Sequence, residues 1–197
     1  MAERPGLLTT VAIIAIVLGA LGVLSSLGSV ASSAMQEQML SLQQESMPAE
    51  QREFTRGVIE LTAEYRTPML IGALLNLVAS ALLITAGALA LGRKTIAARL
   101  LLISVVGAAV VDLYNTYFTV VMQNAMMPMM DQMARSAAQD MPPGADASME
   151  TIMATAQFAG TLFVGFFLLL KLTYYIVTAI ALGRPRVKAW FAGEADT

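Results

Sequence analysis

The sequence predicts an all-α integral membrane protein: four transmembrane helices, up-down-up-down, built as two duplicated helical hairpins whose helices extend beyond the membrane as an outer bundle. Three observations carry that expectation. Four apolar runs, Leu7–Leu27, Pro68–Leu91, Ile96–Val121 and Phe158–Leu182, are each long enough to cross a bilayer as helix, which takes about 20 residues. The segment Ala88-Leu89-Ala90-Leu91-Gly92-Arg93 recurs as Ala179-Ile180-Ala181-Leu182-Gly183-Arg184, each copy closing an apolar run with a basic cluster. Composition agrees: of 197 residues 57% are hydrophobic and 13% charged, too apolar a balance for a soluble domain of this length.

The first hairpin occupies 1–92 and the second 93–184, with 185–197 as a cytoplasmic tail. Within the first hairpin the arm is 28–67, and within the second it is 122–157; the hairpins join through the short link 92–95. Arg4, the apolar run from Leu7 and a small-residue site at Ser29-Val30-Ala31 or Ser32-Ser33-Ala34 resemble a secretory signal. The length of the run, the acid Glu3 and the pairing of the runs favour an uncleaved first span. Trp190 and Phe191 in the tail are expected at the lipid interface.

Charge orients the chain. Arg4, Arg93, Lys94, Arg99, Arg184, Arg186 and Lys188 flank the spans on one side; the other holds Arg52, Arg56, Arg66 and Arg135 together with ten acids, Glu37, Glu45, Glu50, Glu53, Glu60, Glu64, Asp131, Asp140, Asp146 and Glu150. Cytoplasmic loops are the basic ones, so both termini and the link are placed inside. The acidic arms then lie outside, and a bacterial inner membrane with periplasmic arms fits best.

The arms read as helices, because structureless loops of this length are uncommon in compact proteins. Ala31, Met35, Met39 and Leu42 follow helical spacing, as do Phe54, Val58, Leu61 and Tyr65. Met122, Met126, Met129, Met133 and Ala137 repeat the plan on the second outward arm. Met149, Met153 and Ala156 repeat it on the return. Turns are expected near Pro48 and at Pro142-Pro143-Gly144, with Asp146 capping the returning helix. Pro68 and Pro128 are candidate kinks. An arm of about 20 residues projects roughly 30 Å.

Within the spans, small and polar residues recur at helical spacing: Ala15, Gly19, Gly22 and Ser26 in the first, and Gly72, Asn76, Ser80, Leu83 and Gly87 in the second. The third has Ser104, Ala108, Asp112, Asn115 and Thr119, and the fourth has Gly160, Val164, Leu168, Lys171, Tyr175 and Thr178. Small residues let helix backbones approach in lipid, where apolar bulk gives no net attraction. Asp112 and Lys171 are the charges deep in the spans, and their depths differ by about 6 Å at the helical rise, within reach of a lysine stem. Asn76 falls at the depth of Asp112, with Asn115, Tyr174 and Tyr175 nearby, so the expected intramembrane polar cluster is Asp112, Lys171, Asn76, Asn115 and Tyr175. It reads first as a staple fixing which helices touch, and second as an ion or proton relay or a polar-ligand anchor.

Chemistry is mostly excluded. The chain has neither cysteine nor histidine, so thiolate catalysis, zinc sites and His-based triads are absent. Its net charge of −2 and lack of a Lys/Arg run argue against nucleic acid as a partner. No resident cofactor is expected. The 14 methionines are the one compositional excess; apart from Met1 they lie in the arms or at the outer membrane edge. Met126, Met127, Met129, Met130 and Met133 form the densest run. Core filling is the plain reading. Soft thioethers also select Cu(I), and Met127 and Met130, off the main stripe, suit a partner surface.

The functional expectation is a non-enzymatic scaffold or accessory subunit of a larger membrane assembly, acting through an acidic, Met-rich outer bundle. Its partners would be membrane lipids, other membrane or periplasmic proteins, or further copies of itself. The alternatives are a copper-handling or small transport protein using the arm methionines and the Asp112–Lys171 pair, and a carrier of lipid or another apolar ligand.

Overall fold

The structure, a computed structural model, describes residues 6–43, 49–92, 94–139 and 145–192. Among these residues helix is the only regular structure: α1 Gly6–Gln43, α2 Ala49–Leu91, α3 Ala97–Gln139, α4 Ala145–Gly183 and the short α5 Pro185–Ala192. Helices of 38 to 43 residues run about 57–65 Å, twice the hydrocarbon thickness of roughly 30 Å. Each of the four long helices contains a stretch apolar enough to cross a membrane: Gly6–Ser32, Phe54–Leu91, Ala97–Gln132 and Phe158–Gly183. The chain is therefore built as a membrane protein. In α2 and α3 these stretches run well past the expected spans, because the flanking arms are themselves apolar and helical. Pro68 and Pro128 lie inside α2 and α3, which continue through them. The expected turns at Pro48 and Pro142-Pro143-Gly144 fall outside the described residues. Asp146 sits inside the first turn of α4, not at a capping position before it.

Two compact units divide the long helices. The first comprises Met1–Ser29, Gly72–Tyr114 and Leu168–Thr197; the second comprises Val30–Ile71 and Asn115–Phe167.

In the first unit α1 and α2 pack through glycine. A Cβ on Gly19 would stand 2.7 Å from the Ser80 carbonyl oxygen and 2.6 Å from Ile84 Cγ1. A Cβ on Gly87 would stand 2.8 Å from the Ala12 carbonyl oxygen, and one on Gly22 would collide with the Ser80 hydroxyl. Contact positions rise along α1 as they fall along α2, so this pair is antiparallel. The small residues thus allow backbone-to-backbone approach. The core continues through Leu8, Leu83, Leu101, Val105 and Ala181. Three of its buried hydroxyls bond within their own helices: Ser26 donates to the Gly22 carbonyl at 2.9 Å, Ser104 to Leu100 at 2.7 Å, and Thr178 to Tyr174 at 2.8 Å. A hydroxyl satisfied this way packs as a small neutral group. The apolar sides, including Leu21, Leu24, Val78, Ile103, Val106 and Leu169, are exposed, as suits a lipid solvent.

The tail differs from expectation. α4 ends at Gly183 and the chain bends at Arg184, whose carbonyl accepts from Val187 N at 3.1 Å and Lys188 N at 3.1 Å. Pro185 then occupies the first helical position, where its fixed φ suits helix entry. Trp190 and Phe191, expected to face lipid, are instead covered by protein. With Val187 they are buried against the core of the first unit, because spacing i, i+3, i+4 puts all three on one face of α5. Trp190 is the sole tryptophan, so fluorescence reads this docking directly. Its emission should be blue-shifted and poorly quenched by aqueous acrylamide. Phe191→Ala should raise the quenching at least twofold; ready quenching of the unaltered protein would mean that α5 is undocked.

In the second unit Phe54, Val58, Leu61 and Tyr65 are half-buried along one stripe of α2, and Thr55 is buried. Gly57 lets Met129 of α3 approach, its Sδ 3.3 Å from where a Cβ would stand. Met35, expected on a packed stripe, is instead 62% exposed, and Ala31, one helical turn before it, is exposed as well. Gly160 of α4, also expected in a packing stripe, meets open space, and Thr119 is exposed.

Candidate functional site

The polar site of the first unit is built on one carboxylate. Asp112 of α3 is buried, and its Oδ1 accepts from Lys171 Nζ of α4 at 2.7 Å. Its Oδ2 accepts from the Tyr175 hydroxyl at 2.7 Å. Lys171 and Tyr175 stand one helical turn apart, so α4 offers both donors from one face. Both distances are those of charge-assisted hydrogen bonds. Each oxygen of the carboxylate has a donor, and the pair is neutral as a unit. Tyr174, next in the chain, packs edge-on against Tyr175 with ring centroids 5.7 Å apart. Its hydroxyl donates to the Val11 carbonyl of α1 at 2.9 Å, tying α4 to α1.

The partners are unequally covered. The Asp112 side chain is 11% exposed and that of Lys171 36% exposed. Lys171 lies near the middle of the apolar stretch Phe158–Gly183. Its ammonium carries three donors, and among the described residues one of them has an acceptor.

Asn76 does not join this cluster. Its Nδ2 donates to the Gly22 carbonyl at 3.2 Å and to Ser26 Oγ at 2.9 Å, closing a separate network across α1 and α2. Depth along the membrane put Asn76 level with Asp112, but depth carries no rotation about the helix axis. The signal for its true partners was present in Gly22 and Ser26, a turn apart, which offer an exposed carbonyl beside a hydroxyl. Asn115 belongs to the second unit, where its carbonyl accepts from the Thr119 hydroxyl at 2.8 Å. The bond from Tyr174 to Val11 left no trace in the sequence pattern, since its acceptor is main chain.

Of the methionines, Met126 and Met129 are half-buried, whereas Met127 and Met130 are each 41% exposed. The side chain of Met133 lies outside the described residues. Among the described residues no group of three His, Cys, Asp or Glu side chains could hold a metal ion. Thioethers remain the only soft donors present in number. Each oxygen of the Asp112 carboxylate thus accepts from one donor of α4. The arrangement holds helices and neutralises charge. No protein-family model, curated protein or solved structure matches the chain.

Proposed function

We propose that this chain is a non-enzymatic tetraspan protein serving as a scaffold or accessory subunit of a larger membrane assembly. Its spans run up-down-up-down as two duplicated hairpins, with both termini and the 92–95 link in the cytoplasm. The arms 28–67 and 122–157 lie in the periplasm of a bacterial inner membrane, where the acidic, Met-rich surface meets partners.

One observation supports this reading above the others: Lys171 is paired but one-third exposed at mid-span, with donors to spare. A charge facing hydrocarbon costs at least about 3 kcal/mol on insertion scales, and an unfilled donor there adds to the cost. A neighbouring helix covering this face relieves both. α4 is also the least covered span, with 17% of its most apolar segment buried against 28%, 28% and 33% for the others.

Native mass spectrometry of the gently solubilised protein from its own host should yield a stoichiometric complex with another membrane protein. A photo-crosslinker at Leu170 on α4 should capture that same protein, and one at Val106 on α3 should not. A partner-free species carrying copper, with no product from Leu170, would overturn the reading and move the weight to the arm methionines.

A further inference from the structure

We propose that the exposed cations at the link end of the first unit form a binding surface for the anionic headgroups of membrane phospholipids. Lys94 and Arg99 border the α2–α3 link; Arg184, Arg186 and Lys188 border the bend from α4 into α5. All five are exposed. Asp112 and Lys171 pair 15 residues beyond Ala97 and 12 residues before Gly183, and the two helix segments line one core, so the corners at the link and at α5 lie at the same end.

The charge there is one-sided. Asp112 is the only carboxylate among the described residues of the first unit, and Lys171 and Tyr175 already occupy it. None of the five cations has an ion-pair partner among the described residues. The nearest other acids in sequence, Glu3, Glu194 and Asp196, lie outside the described residues.

Placement selects lipid as the anion. The apolar stretches end at Leu91 and Gly183 and begin at Ala97, so each cation stands at or within a few residues of a span end. That is the headgroup layer, within a Debye length of any anionic surface. α5 holds the charges in position. Its buried face, Val187, Trp190 and Phe191, grips the core, and Arg186 and Lys188 project about 100° to either side of Val187. Docking of α5 therefore fixes two cations, and the bend fixes a third in Arg184. Long basic stems can lie along apolar surface while their heads reach phosphate.

The test uses the full chain in mild detergent, titrated separately with phosphatidylglycerol and phosphatidylcholine, bound lipid being counted by native mass spectrometry. Phosphatidylglycerol should bind at least about tenfold more tightly, and the preference should fall with added salt. Each cation near an anionic surface contributes roughly fivefold, so Arg184→Gln, Arg186→Gln and Lys188→Gln together should abolish it. Arg184→Lys with Arg186→Lys, which preserves charge, should retain it. Trp190 fluorescence checks that α5 stays docked in every variant. Equal binding of the two lipids, or an undiminished preference in the Gln variant, would overturn the proposal. Displacement of the lipid by millimolar inorganic phosphate would also overturn it, marking a site for soluble phosphate instead.

Discussion

Lys171→Met is expected to destabilise the protein by about 3 kcal/mol, because it leaves Asp112 buried with only the Tyr175 hydroxyl to answer its charge. Asp112→Asn should cost a similar amount by stranding the Lys171 ammonium at mid-span. Tyr175→Phe, which removes one hydrogen bond to a charged group, should cost about 2 kcal/mol. The decisive observation is the combination of the first two. A buried pair is expensive to break and cheap to delete, so Asp112→Asn with Lys171→Met should recover about 2 kcal/mol relative to the sum of the single changes. Reversible unfolding in mixed micelles measures all four corners of the cycle. Strict additivity would show that the 2.7 Å contact contributes nothing specific to the bundle. A double variant that is stable yet dissociates from its assembly partner would separate the staple within the subunit from the role of Lys171 at its surface.

Glycine substitutions should split by sign. In an exposed helix interior Gly→Ala stabilises by up to about 1 kcal/mol, and Gly107→Ala and Gly165→Ala should follow that rule, since nothing lies within 4 Å of the added Cβ. Gly19→Ala and Gly87→Ala should do the opposite and cost about 1–3 kcal/mol. There the new methyl meets main-chain oxygens, Ser80 O at 2.7 Å and Ala12 O at 2.8 Å, and relief requires moving a whole helix. Gly19→Val should be worse still. Thermal unfolding of the four Ala variants side by side is sufficient; destabilisation of equal size at all four positions would mean that α1 and α2 do not approach at these glycines.

The helices themselves were legible in the residues. Four long apolar runs admit little but membrane helix, since lipid leaves main-chain groups no outside partner. The link between α2 and α3 and the small-residue stripes on α1 and α2 could be read from Gly92 and from the spacing of Gly19, Gly22 and Gly87, because composition and periodicity are local properties; that these two stripes meet came from the structure. The opposite charges of Asp112 and Lys171 pointed to each other for a similar reason: few alternatives exist in hydrocarbon.

What only the tertiary structure decided depends on rotation and long-range approach. Periodicity says which residues share a face but not which helix that face meets. Asn76 therefore went to Gly22 and Ser26, not to Asp112, and Tyr174 found a main-chain acceptor on α1 that no pattern marks. The same limit applies to α5: eight residues with three apolar side chains on one face fit a lipid surface or a protein core equally well. Burial of Trp190 and Phe191 was decided by the apolar surface already assembled at that end of the first unit. The exposure of Lys171 was likewise invisible in the sequence, because it depends on which sides of α4 the other helices leave uncovered.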